Sequence, residues 1–157
     1  MKIALLQTGK TNDRNIASIQ EDYAARIRKY VGFELITAAD LKNTRNMPQP
    51  EQKAKEGKKI LQLLGPEDFV ILLDEKGREM RTVEFSDFLS KSMMMQKKRI
   101  VFVIGGAWGF SDEVYSRCDM RMSLSKMTFP HQLVRLLFIE QLYRAFTVIK
   151  GEPYHHE

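Results

Sequence analysis

Four stretches of this 157-residue chain carry side chains able to bind a small ligand or move a proton. Leu73 and Asp74 close an apolar run, residues 69–74. A glycine turn of Gly105, Gly106, Ala107, Trp108 and Gly109 closes a second run, residues 100–104. In open α/β sheets ligands bind beyond the carboxyl ends of such strands. Glycines placed between a strand and a helix either let a ligand approach the backbone closely or simply permit a tight turn with positive φ. The spacing is not G-x-G-x-x-G, it falls late in the chain, and no carboxylate closes the next strand to grip a ribose, which argues against a nicotinamide cofactor. In residues 123–129, Leu124, Ser125, Lys126, Met127, Thr128 and Phe129 mix hydroxyls and apolar groups with one lysine. Such a loop can wrap an adenine with backbone amides and carbonyls while apolar groups sandwich the ring; taken alone it is equally an ordinary connection.

The fourth stretch is the tail, residues 151–157, which holds Tyr154, His155 and His156. Histidine accepts or shuttles a proton near neutral pH, whereas a chain end ordinarily frays, so the tail is either chemistry or solvated accident. His131 and Arg135 open the last predicted helix, and His131 reads as a core or capping residue. Lys53, Lys55, Lys58 and Lys59 read as a solvated face that would touch phosphates without reading bases. Lys97, Lys98 and Arg99 read as surface.

Positioning these groups falls to an alternation of short apolar runs and longer amphipathic stretches. Strands are predicted over residues 2–7, 33–38, 69–74, 100–104 and 120–124. Helices are predicted over 15–30, 51–64, 83–94, a short piece capped by Ser111, and 130–150. Residues 9–12 and 75–77 read as turns, and residues 39–50 as a mobile polar loop. Met93, Met94 and Met95 are expected to pack inward with Phe85, Phe88 and Leu89. Strands alternating with helices predict an α/β fold, a mostly parallel sheet with flanking helices, in one domain spanning residues 1–157. The last helix is apolar nearly all round. One face then meets its own sheet, and another is expected to meet a second copy about a two-fold axis, a homodimer; a central helix of a monomer is the alternative.

Composition narrows the function classes. A formal net charge of +5 favours acidic partners such as nucleic acid. No run reaches the ~18 apolar residues of a membrane span, and the first residues are too short and soon too polar for a signal peptide. One cysteine, Cys118, makes neither an internal disulfide nor a metal site. The expectation is a cytoplasmic protein with no metal and no membrane association.

Taken together, residues 102–109 (FVIGGAWG), 124–135 (LSKMTFPHQLVR), 140–145 (EQLYRA) and the tail motif Gly151-x-Pro-Tyr-His resemble the RlmH family, the pseudouridine N3-methyltransferases of ribosomal large-subunit RNA within the SPOUT superfamily. The four motifs occur in one order over essentially the whole chain. The resemblance implies a C-terminal trefoil knot, a homodimer, and S-adenosyl-L-methionine as methyl donor, held by Leu73, Gly105, Leu124, Ser125, Lys126, Met127, Thr128 and Phe129. It implies catalytic roles for His155 and Tyr154, which reach the target base beside the partner subunit's cofactor, with Arg144 holding the tail or a phosphate. The implied substrate is a pseudouridine of 23S rRNA in assembled ribosomes. Ala107 and Trp108 occupy positions that vary among relatives, and Glu157 stands where several relatives carry a basic residue. The rival readings are a non-catalytic basic RNA-binding module and a nucleotide-dependent enzyme using the glycine turn.

Overall fold

The computed structural model describes residues 1–157. Ten elements alternate along the chain: β1 (Lys2–Thr8), α1 (Arg14–Ile27), β2 (Gly32–Ala38), α2 (Gln49–Gln62), β3 (Asp68–Glu79), α3 (Thr82–Ser92), β4 (Arg99–Ile104), α4 (Asp112–Arg117), β5 (Met120–Ser123) and α5 (His131–Ile149). The five strands form one parallel sheet in the order β2-β1-β4-β3-β5. Both faces of the sheet are buried, which is why residues 3–6 of β1 and 100–104 of β4 are continuously apolar rather than alternating. Ile3, Leu5, Ile100, Phe102 and Ile104 pack with α1, α3 and α5 on one side. Ala4, Leu6, Val101 and Val103 pack with Ile60 of α2 and Val114 of α4 on the other. Successive strand side chains point to opposite faces, so one run of sequence serves two cores.

The structure corrects the expected turn at residues 75–77. β3 does not stop at Asp74 but runs to Glu79, and its pairing with β5 slips on the way. Met122 pairs with Leu73 and again with Arg78, so residues 74–77 bulge out of the ladder. Gly77 lies flat on β5: a Cβ added there would stand 2.6 Å from the Met122 amide nitrogen and 2.7 Å from the Arg121 carbonyl carbon. A bulge of this kind re-aims side chains. Here it turns Asp74, Glu75 and Lys76 toward the carboxyl end of the sheet.

Two smaller expectations also change. α3 ends at Ser92, so Met94 and Met95 lie beyond the helix and face solvent, leaving Met93 alone of the three against the core. Arg99 is no plain surface residue. Its Nε and Nη2 donate to the two carboxylate oxygens of buried Asp68 at 3.0 and 2.6 Å, fastening the starts of β3 and β4. Burial acts to raise the Asp68 pKa, but the hydrogen bonds from Arg99 and the Gly65 amide outweigh it and hold the carboxyl below its ordinary value. A depressed folded-state pKa adds stability above the unfolded pKa, and that stability is lost as pH falls through the folded value. Asp68→Asn is therefore expected to cost about 3 kcal/mol at pH 7, as removing one partner of a buried pair does, with the gap to wild type closing below roughly pH 4. Denaturant melts at several pH values check this. No helix is long and apolar enough to cross a membrane.

Candidate functional site

The carboxyl ends of β3, β4 and β5, together with the first turns of α5, enclose a cavity of about 430 Å³. Three of the sequence stretches with chemical potential converge on it. Leu73, Gly105, Leu124, Ser125, Met127, Thr128 and Phe129 all line it; Lys126 does not, and its side chain is exposed. The chain after β5 is fixed locally. Ser123 Oγ donates to the Ser125 carbonyl at 2.9 Å, and Ser125 Oγ accepts from the Met127 amide at 3.0 Å. Thr128 Oγ1 reaches Glu75 Oε2 at 3.4 Å, tying this loop to the bulge of β3.

The glycine turn forms the second wall. Gly109 donates its amide to the Gly106 carbonyl at 3.2 Å and takes φ +81°, a conformation that favours glycine. Ser111 then caps α4, accepting from the Val114 amide. This places Tyr115 one turn along, where its hydroxyl donates to Asp74 Oδ2 at 2.6 Å. Asp74 Oδ1 accepts from the Lys76 amide at 3.0 Å, so the carboxylate is held at both oxygens. Burial, and then the bond to Asp74, push the Tyr115 pKa up to about 12, so the phenol remains a donor. Arg121 stacks over the Tyr115 ring with its guanidinium carbon 4.7 Å from the centroid.

Asp74, Glu75 and Lys76, the remaining turn residues, Ile104, Phe110, Tyr115, Ser123, His131 and Val134 complete the lining. His131, expected to be structural, is thus part of the cavity wall. Burial and the neighbouring Arg135 lower its pKa, which keeps the imidazole neutral at physiological pH. Arg135 is fully buried, donating to the Thr8 carbonyl at 2.5 Å and to Thr11 Oγ1 at 2.9 Å. Gln132 adds bonds to Lys10 and Asn12, so the start of α5 is braced against the loop after β1. The Asp74–Tyr115 pair had no sequence signal, since 41 residues separate its members.

The tail is ordered, but elsewhere. It folds back along α5, and neither Tyr154 nor His155 lines the cavity of its own chain. Glu140 is the hub: it accepts from Arg144 Nε and Nη2 at 3.0 and 2.6 Å and from the Tyr154 hydroxyl at 3.1 Å. Arg144 lies over the Tyr154 ring, 4.8 Å from its centroid, and its Nη1 approaches His155 Nδ1 at 3.2 Å. Tyr23 and Tyr143 wall the phenol on its other sides, and burial followed by the Tyr23 contact raises its pKa. A guanidinium has only hydrogens to give, so His155 Nδ1 accepts and the neutral ring carries its proton on Nε2. That Nε2 is buried without a hydrogen-bond partner. Glu157 pairs with Arg81 at 3.1 Å, and the same carboxylate oxygen stands 3.8 Å from His155 Nε2. No group of three or more His, Cys, Asp or Glu is arranged to hold a metal ion.

Comparison with known proteins follows the same outline. The family model "Predicted SPOUT methyltransferase" matches residues 1–155. Ribosomal RNA large subunit methyltransferase H of Flavobacterium psychrophilum is 50% identical over 157 residues, covering 100% of both chains. The proteins of the same name from Christiangramia forsetii and Bacteroides thetaiotaomicron are 49% and 46% identical, over at least 99% of each chain. Among solved structures, a tRNA (m1G37) methyltransferase from Aquifex aeolicus aligns with a TM-score of 0.55 at 18% identity, covering 100% of this chain and 75% of that one. A probable methyltransferase from Bordetella pertussis aligns at 0.55 and 11% identity, covering 91% and 95%. These two likenesses concern the fold.

Proposed function

The chain belongs to the SPOUT methyltransferases and, within them, to the ribosomal RNA large subunit methyltransferase H family, and on that premise we propose that it transfers a methyl group from S-adenosylmethionine to N3 of a pseudouridine in 23S rRNA of assembled ribosomes. The observation that carries the reading is the convergence of Leu73, Gly105 and residues 124–129 on one cavity at the carboxyl edge of the sheet. The cavity fits the donor. Its volume lies in the range of small-molecule sites, its walls of Leu73, Ile104, Leu124, Phe129 and Val134 suit an adenine, and Asp74 and Glu75 suit a cationic, hydroxyl-bearing ligand. S-adenosylmethionine supplies a methyl group already activated on sulfonium, so no metal is called for.

The chain's own task is to position the base and favour loss of its N3 proton. His155 enters as a donor: Arg144 engages its Nδ1 and leaves the ring proton on the buried Nε2. A shift of the tail on RNA binding brings that N–H to a carbonyl oxygen beside N3, where negative charge gathers as the N3 proton leaves to water. Tyr154, held by Glu140 and Tyr23, sets the position of the base. Because the tail is docked away from its own cavity, it serves the cavity of a second subunit. α5 offers a face for that subunit, since Leu133 and Leu137, one turn apart, remain 37% and 36% exposed. A homodimer with these leucines in the interface completes two sites, and the trefoil knot implied by the family likeness belongs to the same reading. The cytoplasm, where ribosomes are, is the proposed location.

The test is transfer of labelled methyl from S-adenosylmethionine to intact ribosomes, separate subunits and naked rRNA from cells lacking this gene. Label is expected in large-subunit RNA, most strongly in assembled ribosomes. No label anywhere, with no cofactor binding, leaves a basic RNA-binding module as the better account.

A further inference from the structure

Trp108 is the chain's single tryptophan, and it stands at the mouth of the cavity with 45% of its surface exposed. No other ring or guanidinium of the chain stacks on its indole. The turn that presents it is stiff. A Cβ on Gly105 would meet the Phe110 ring at 3.0 Å, and one on Gly106 would meet the Glu56 carboxylate at 2.7 Å, so both sides of the turn are already packed. The Gly109–Gly106 hydrogen bond closes it. A closed turn holding a large apolar ring half in water leaves part of that ring free for something outside the chain.

The surroundings say what. Lys76 and Glu75 line the same cavity with exposed side chains, and Lys126 is exposed on the neighbouring loop, so two lysines accompany the aromatic ring against one exposed carboxylate. An aromatic platform flanked by lysines is how single-stranded nucleic acid is held without base-specific bonds. Resting on the RNA methyltransferase reading above, we propose that Trp108 is the platform on which a nucleobase of the RNA stacks as the target base enters the cavity. The cofactor has less claim on it, because the deeper apolar walls already provide a sandwich for adenine. A partner subunit has its own apolar face along α5.

Trp108→Leu keeps the bulk but removes the π-face; Trp108→Phe keeps a face. Stacking predicts that Trp108→Leu raises the KM for ribosomes roughly tenfold while Trp108→Phe stays near wild type. S-adenosylmethionine affinity by calorimetry is expected to change by much less than the tenfold effect on ribosome KM, and dimer mass by sedimentation is expected to be unchanged in both. Trp108 is also the only indole emitter, so a short uridine-rich single-stranded RNA is expected to quench the emission of the wild-type protein in the presence of saturating S-adenosylhomocysteine. Equal loss of cofactor affinity in Trp108→Leu, dissociation of its dimer, or an unchanged KM with no quenching would each overturn the proposal. If the wild type methylates no ribosomal RNA, the methyltransferase reading fails, and quenching by the oligomer still decides whether Trp108 meets RNA.

Discussion

Turnover of a His155→Ala variant is expected to fall about 10²–10³-fold with cofactor affinity unchanged, the usual consequence of removing a hydrogen-bond donor aimed at developing negative charge. The geometry adds two discriminating results. Arg144 fixes the proton of the neutral ring on Nε2, so His155→Gln, which retains an N–H donor, is expected to recover part of the rate. A general base would give no such recovery. Because His155 does not reach the cavity of its own chain, the defect is also expected to be complemented in trans. Mixing His155→Ala subunits with Gly105→Val subunits, whose added bulk strikes the Phe110 ring, pairs an intact tail with an intact cavity. Random reassortment of a two-fold dimer then restores roughly a quarter of wild-type activity. Near-full turnover of His155→Ala alone, or no recovery on mixing, would remove the assigned role.

The largest effect on the fold is expected at Gly77. Its absent Cβ leaves room for the β5 backbone at 2.6–2.7 Å, and backbone in a paired strand cannot swing aside as a side-chain tip would. Gly77→Ala is therefore expected to cost about 3 kcal/mol or more, the upper end of overpacking penalties. In a chain of this size that lowers the melting temperature by roughly 10 °C. The bulge also carries Asp74, Glu75 and Lys76, so S-adenosylmethionine affinity is expected to weaken with stability. A melt and a calorimetric titration matching wild type would mean that β3 does not lie against β5 as described.

The parts of this architecture that could be read from sequence are those where one run of residues answers one demand. Residues 100–104 are apolar throughout because β4 is covered on both faces, and no other element type accommodates so short a run as simply. Ser111 announces α4 because its hydroxyl caps it. Residues 74–79 (DEKGRE) resisted the same treatment. They are polar and contain a glycine, the composition of a turn, yet β3 runs on through them because β5, two strands later, pairs with Arg78 and Glu79 beyond the bulge. Strand order has no local signature either: β4 lies between β1 and β3, a placement that no pattern within β4 itself announces.

The site divides in the same way. The loop of residues 124–129 and the tail were marked by residue type and by likeness to a family, and most of the named loop residues do line the cavity. Tyr115, the partner that holds Asp74, is an ordinary helix residue until α4 is laid beside the bulge. His131 looked structural because a lone histidine opening a helix usually is; its place in the cavity wall depends on how α5 packs over β4 and β5.

The most direct test of the central claim is the identity of the modified nucleoside. Ribosomes from cells lacking the gene, incubated with the purified protein and S-adenosylmethionine, are digested to nucleosides and resolved by mass spectrometry. Methylation at N3 of pseudouridine in 23S rRNA, absent before incubation and absent with His155→Ala, is the predicted result. A methyl group on another base or on a ribose hydroxyl would contradict the assigned chemistry, since neither would draw on a donor beside N3.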